Sequence, residues 1–170
     1  MHRRILVLRR LALAATLLAF VVVVFGAYVR LTDAGLGCPD WPGCYGQASP
    51  SGAQAQIDQA EAAMPTGPVT HGKAWIEMIH RYLATAVGVL ILTLAAGTWV
   101  LRRRGAAVSP WWPTATLAWV CLQGAFGAWT VTMKLFPAIV TLHLLGGLAL
   151  LALLCLQAVR FQQAAPGQGP

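Results

Sequence analysis

Residues 73–101 read KAWIEMIHRYLATAVGVLILTLAAGTWVL. This run exceeds the roughly 20 apolar residues that cross a bilayer as a helix. It carries one histidine, His80, close to its start. A second run, FPAIVTLHLLGGLALLALLCLQAV at 136–159, repeats the arrangement with His143. An ionisable side chain inside such a stretch is costly and normally faces the protein interior for a reason. The two runs predict an all-α integral membrane protein.

The rest of the chain extends that reading. Of its 170 residues 58% are apolar and 10% charged, against about 25% charged in a soluble domain. Four membrane spans are expected, at 8–29, 74–101, 111–133 and 138–159, forming a four-helix transmembrane bundle. Arg3, Arg4, Arg9 and Arg10 precede the first span, Arg102, Arg103 and Arg104 lie between the second and third, and Arg160 follows the fourth. Under the positive-inside rule these groups place both the N-terminus and the C-terminus in the cytoplasm and the loop 30–73 outside. The five acidic residues Asp33, Asp40, Asp58, Glu61 and Glu77 lie in or beside that loop. The net charge of +7 is then a matter of topology. Nucleic-acid binding, which needs a basic face on a soluble surface, is excluded.

The first apolar run is longer than a signal-peptide core and has no A-x-A site before Arg30, so it reads as a retained helix. Trp75 and Trp129 mark the outer interface, and Trp99, Trp111 and Trp112 the inner one. Residues 1–161 form one four-helix domain on this reading, and 162–170 (QQAAPGQGP... from Gln162) a flexible tail or linker. An internal echo is visible: Gly26-Ala27-Tyr28 ends the first span and Gly127-Ala128-Trp129 the third. Each is followed by a helix carrying one of the two histidines, as a repeated hairpin would require.

His80 lies about six residues into its span and His143 about five. At 1.5 Å per residue both sit roughly 8–9 Å deep. Two helices running the same way, with imidazoles at equal depth, can clamp a haem by both axial positions. The competing reading is two unrelated histidines bonded to backbone carbonyls. Glu77 and His80 share a helix face, and Arg81 flanks it. Either Glu77 and Arg81 form an interfacial ion pair, or Glu77 lies at the reacting edge of a haem, stabilising positive charge or moving a proton. Arg81, Arg30 and Lys134 are candidates to pair with haem propionates.

Cys38 and Cys44 bracket CPDWPGC in the outer loop. A disulfide is expected in an oxidising compartment. A metal site would want further ligands, and a redox dithiol is usually C-x-x-C. Cys121 and Cys155 read as inert packing residues within spans. Residues 51–64 read as a short surface helix with Ser51 as its cap, serving as a lid or a spacer. His71 reads as solvated in a loop. Gly124 and Ala128 form a small-xxx-small pair that favours close helix packing or admits a flat macrocycle.

Three segments carry a family resemblance: GAYVRLTDAGLGCPDWPGCYG (26–46), EMIHRYLATAVG (77–88) and QGAFGAWTVTMKLFPAIVTLHLLGG (123–147). In this order and spacing the chain resembles the haem A synthase family. The resemblance implies oxidation of a methyl group of haem O to a formyl group, giving haem A for cytochrome oxidase. It implies that His80 and His143 ligate haem iron, that Glu77 is the acidic residue beside the substrate haem, and that Cys38 and Cys44 are the outer-loop cysteine pair. It further implies a bacterial inner (plasma) membrane with loop 30–73 periplasmic, and haem O synthase and oxidase assembly factors as partners. Family members typically have eight spans in two similar halves, one holding the substrate haem and the other haem b. This chain resembles the first half. It would act as a homodimer or with a second four-helix half. Competing classes are a bis-histidine b-type cytochrome, a quinone-linked thiol oxidoreductase, which lacks its C-x-x-C here, and a non-catalytic oxidase assembly subunit.

Overall fold

The structure, a computed structural model, describes residues 2–164. It is helical: α1 His2–Leu31, a 3-10 turn Pro50–Ala53, α2 Gln54–Ala63, α3 His71–Arg103, α4 Trp111–Thr132 and α5 Pro137–Gln163. Among the described residues there is no strand, only an isolated bridge between Cys44 and Gln47. Three helices, α1, α3 and α5, are long and apolar enough to cross a membrane. Their exposed side chains include Leu17, Phe20, Val89, Leu92, Leu144, Leu145 and Leu156, a surface suited to lipid. The chain is a membrane protein.

The four expected spans are thus met by three helices on length and composition. Helix α4 has 22 residues and is not among these three; it carries Trp111, Trp112, Pro113 and Gln123. Three other expectations change. His71 is the first residue of α3, not part of a loop. Ser51 lies inside the 3-10 turn, whose N-cap residue is Ser49 with no side-chain bond. Cys121 and Cys155 are free and exposed, so they face outward from their helices instead of packing within the chain. Helix α5 continues to Gln163, which makes the first two residues of the expected tail helical. The remainder, 165–170, lies outside the described residues.

The chain packs as two compact units. One comprises the residues up to Val21, Thr85–Gln123 and those from Gly146 on. Its core joins Ile5, Leu8 and Ala12 to Leu94, Leu101, Ala158 and Phe161. Ala12, Ala15 and Ala19 are buried at helical spacing on α1, which lets a neighbouring backbone approach. Polar groups in this core are mostly bonded locally, because an unpaired one costs several kcal/mol (about 2–7) in an apolar setting. Thr98 and Thr116 donate to Leu94 O and Trp112 O, Gln157 donates its amide to Thr116 Oγ1, and Trp119 Nε1 donates to Gly146 O. Val87, Ile91, Leu94 and Ala95 are buried as far past His80 as Leu150, Leu154, Gln157 and Ala158 are past His143.

The second unit comprises Val22–Ala84 and Gly124–Leu145. The sequence echo becomes geometry here. Phe25-Gly26-Ala27-Tyr28 and Phe126-Gly127-Ala128-Trp129 occupy matching places near the ends of α1 and α4. The aromatic pairs Phe25–Tyr28 and Phe126–Trp129 have centroids 5.6 and 5.3 Å apart. Both helices then end in the same way. Asp33 and Lys134 adopt φ of 53° and 50°. The next amides, Ala34 N and Leu135 N, donate to Val29 O at 2.9 Å and Thr130 O at 2.7 Å. This is the Schellman closure of a helix, with a left-handed residue satisfying the last carbonyls.

The two connections differ. Residues 133–136 join α4 to α5 directly, whereas 32–70 build a small module between α1 and α3. Its core is the Cys38–Cys44 disulfide with Ala53, Ile57 of α2, and Ala74 and Met78 of α3. Gly37 lies flat on the start of α3, where a Cβ would meet the Lys73 and Ala74 backbone within 2.6 Å. Asp40 closes the turn by accepting from Tyr45 N and Gly46 N, both at 2.6 Å.

Candidate functional site

Helix α3 carries Glu77, His80 and Arg81 into the second unit, and α5 carries His143 into the same unit. Each histidine ring rests against a glycine. A Cβ added at Gly26 would lie 3.0 Å from His80 Cε1, and one at Gly127 would lie 3.4 Å from His143 Cε1. Phe25 lies nearly parallel to the His80 ring, at 6.3 Å between centroids and 18° between planes. On each ring Nδ1 is buried and has no hydrogen-bond partner among the described residues.

A haem fits these observations. Neither ring spends its Nδ1 on a hydrogen bond within the described residues, so neither imidazole is tied by that atom to the chain. Two imidazoles are too few donors for a bare metal ion, but they complete an iron whose other four donors come from a porphyrin. Counted from the helix starts, His80 and His143 lie at unequal positions, because α3 begins earlier than the expected span.

Glu77 is 4% exposed. Its Oε1 accepts from Arg81 Nη2 at 2.5 Å, and its Oε2 accepts from the backbone N–H of Cys38 at 2.8 Å. The interfacial ion pair expected from the spacing is therefore present, and it is buried. Arg81 does more than pair with Glu77. Its Nη1 donates to Asp40 O at 2.8 Å, Pro42 O at 3.2 Å and Gly43 O at 2.6 Å. The cation thus gathers the carbonyls of the CPDWPGC turn, while the adjacent carboxylate holds that turn's first amide. Tyr82 adds a bond from its hydroxyl to Ala48 O at 2.6 Å. A buried ion pair of this kind keeps its place by satisfying its remaining donors and acceptors.

The other sequence candidates lie apart from this cluster. Arg30 and Lys134 are exposed. His71 Nε2 meets Asp58 Oδ1 at 2.6 Å, and its amide donates to Glu61 Oε2 at 3.1 Å, fastening α2 to the start of α3. Gly124 faces open space. Sequence reasoning missed Phe25, Gly26, Gly127 and Asp40. The first three had a signal, since the echo extends one residue further back to an aromatic in both copies.

Comparison with known proteins gives a consistent result. A family model described as cytochrome oxidase assembly protein, COX15-CtaA, matches residues 9–169. A haem A synthase of Shewanella oneidensis is 44% identical over 90% of this chain and 44% of its own length. A haem A synthase of Lysinibacillus sphaericus is 30% identical over 87% of the chain and 43% of its own. One of Caulobacter vibrioides is 32% identical over 79% and 38%. The chain spans less than half the length of these curated relatives. No solved structure matches it. With the match running over nearly all of its residues, the chain belongs to the haem A synthase family of cytochrome oxidase assembly proteins.

Proposed function

We propose that this chain is the substrate-haem half of a haem A synthase, converting a methyl group of haem O to the formyl group of haem A for cytochrome oxidase. The observation that carries the reading is the pair of glycine-seated histidines, brought by two helices into one unit. His80 and His143 hold the iron of the substrate haem. With His80 and His143 holding the iron, the formyl oxygen would come from water, and the conversion of methyl plus water to formyl would release four protons and pass four electrons to an external electron acceptor. Glu77 supplies the negative charge that stabilises positive charge developing at the methyl carbon, since a preorganised charge in a dry site acts strongly. Arg81 acts through Glu77 and the disulfide turn. Exposed Arg30 is left to meet a propionate.

In this proposal residues 1–161 work as one four-helix domain with α4 as the fourth span. Both ends are cytoplasmic and the 32–70 module faces the periplasm of a bacterial inner membrane. Haem b, where present, belongs to a second copy of the chain or a second four-helix half. Haem O synthase and oxidase assembly factors are the neighbours such a role requires. The chain, expressed in membranes with a haem O source, should yield haem A on extraction, and His80→Ala should abolish that yield. Haem b alone in the extract would favour an electron-transfer cytochrome. Reporter tags at both termini should respond from the cytoplasm and one at Ser51 from outside, and the reverse pattern would overturn the topology.

A further inference from the structure

Gly26 and Gly127 stand in the same place in two copies of one hairpin. Each follows a phenylalanine, precedes an alanine and an aromatic residue, and lies before a Schellman helix end. Each is also where a histidine ring comes to rest. Helical glycines of the chain differ in this respect: a Cβ at Gly88 or Gly124 would meet nothing within 4 Å, while one at Gly97 or Gly146 would meet Leu8 or Gln123. Glycine inside a helix is less stable than alanine there. Gly26 and Gly127 are the two of these that seat a histidine ring.

We infer that Gly26 and Gly127 are positioning residues that set the planes of the two imidazoles, His80 more tightly than His143. An imidazole turns about its bond to Cβ until it meets a neighbour. At His80 the ring has the Gly26 backbone on one contact and the near-parallel Phe25 ring as a second. At His143 no aromatic ring stacks on the imidazole among the described residues, and the Gly127 contact is looser, 3.4 Å against 3.0 Å for the added Cβ. A Cβ at 3.0 Å requires the ring to give by a few tenths of an ångström, whereas 3.4 Å lies at the edge of ordinary contact. The same substitution in the two copies therefore has unequal consequences. The relative angle of two axial imidazoles governs the g anisotropy of a low-spin ferric haem, so the seat can be read without any turnover.

This inference rests on the haem reading above, and the experiment separates the two. Gly26→Ala, Gly127→Ala and Gly124→Ala are made in the full chain, loaded with haem, and compared by low-temperature electron paramagnetic resonance. The largest g value should move most in Gly26→Ala, less in Gly127→Ala and not at all in Gly124→Ala. Identical spectra for all three would overturn the inference. A second readout needs no haem. Gly26→Ala is melted in the presence of His80 and in a His80→Ala background. The loss of melting temperature should be large in the first and small in the second, because removing the ring removes the collision. An equal loss in both backgrounds would mean that Gly26 serves helix packing only, and the inference would fail. If Gly26→Ala accumulates only in the His80→Ala background, the collision with the ring is shown; if it accumulates in neither background, the inference fails. If the unsubstituted chain shows no two-imidazole spectrum, the haem reading fails and the melting cycle alone judges the seats.

Discussion

The α1–α3 hairpin and the α4–α5 hairpin share a seated histidine and differ in the residues that flank it. Both present a histidine on a glycine of the preceding long helix, and both close that helix with a left-handed residue. Yet Glu77 and Arg81 flank His80, while the matching positions beside His143 are Val140 and Leu144. The first hairpin also carries the disulfide module, and the second has only residues 133–136 between its helices. The comparison separates two tasks. The duplicated part of the structure suits holding a symmetric group from both sides. The unduplicated part places charge on the α3 side, where the proposed chemistry would act.

The largest expected effect tests the shared part. His80→Ala and His143→Ala should each abolish the low-spin haem spectrum, whereas His71→Ala should leave it intact. A chain that kept the spectrum without His143 would break the equivalence of the two hairpins. The next effects test the difference. Arg81→Ala leaves Glu77 buried without its counter-charge, and breaking a buried pair costs about 3–5 kcal/mol. Leu144→Ala, at the exposed matching position, should cost far less in the same melting or denaturant measurement. Glu77→Gln should retain haem and slow haem A formation by about 10²–10³-fold, as for loss of one preorganised electrostatic group. Haem extraction over a time course measures it, and normal yield would return Glu77 to a purely structural role.

Smaller effects follow from the module. Replacing Cys38 and Cys44 by serine opens a short loop and should cost roughly 2 kcal/mol on the chain-entropy estimate. The haem spectrum should persist, because the turn is also held by Arg81 and Asp40. Loss of activity at normal stability and haem content would assign the pair a redox role. The smallest effect belongs to His71→Ala, which removes an exposed pair with Asp58 and should cost about 1 kcal/mol or less.

The parts legible in the sequence were those written in local pattern. Apolar runs located the helices, and the spacing of Glu77 and Arg81 gave their ion pair. CPDWPGC gave its disulfide, which the structure contains. What stayed hidden depends on contacts between distant residues. The bond from Cys38 N–H to Glu77 joins positions 39 apart, and nothing in the helix pattern of 77–88 shows that the carboxylate is already held on both oxygens. Arg81 looked available for a propionate because its carbonyl partners are backbone atoms, which have no sequence signature.

The most direct measurement is a haem titration of the purified full chain followed by paramagnetic resonance of the ferric form. Saturable binding with a low-spin, two-imidazole spectrum is expected. A high-spin spectrum, or no saturable binding, would contradict the claim that His80 and His143 face one another across a haem.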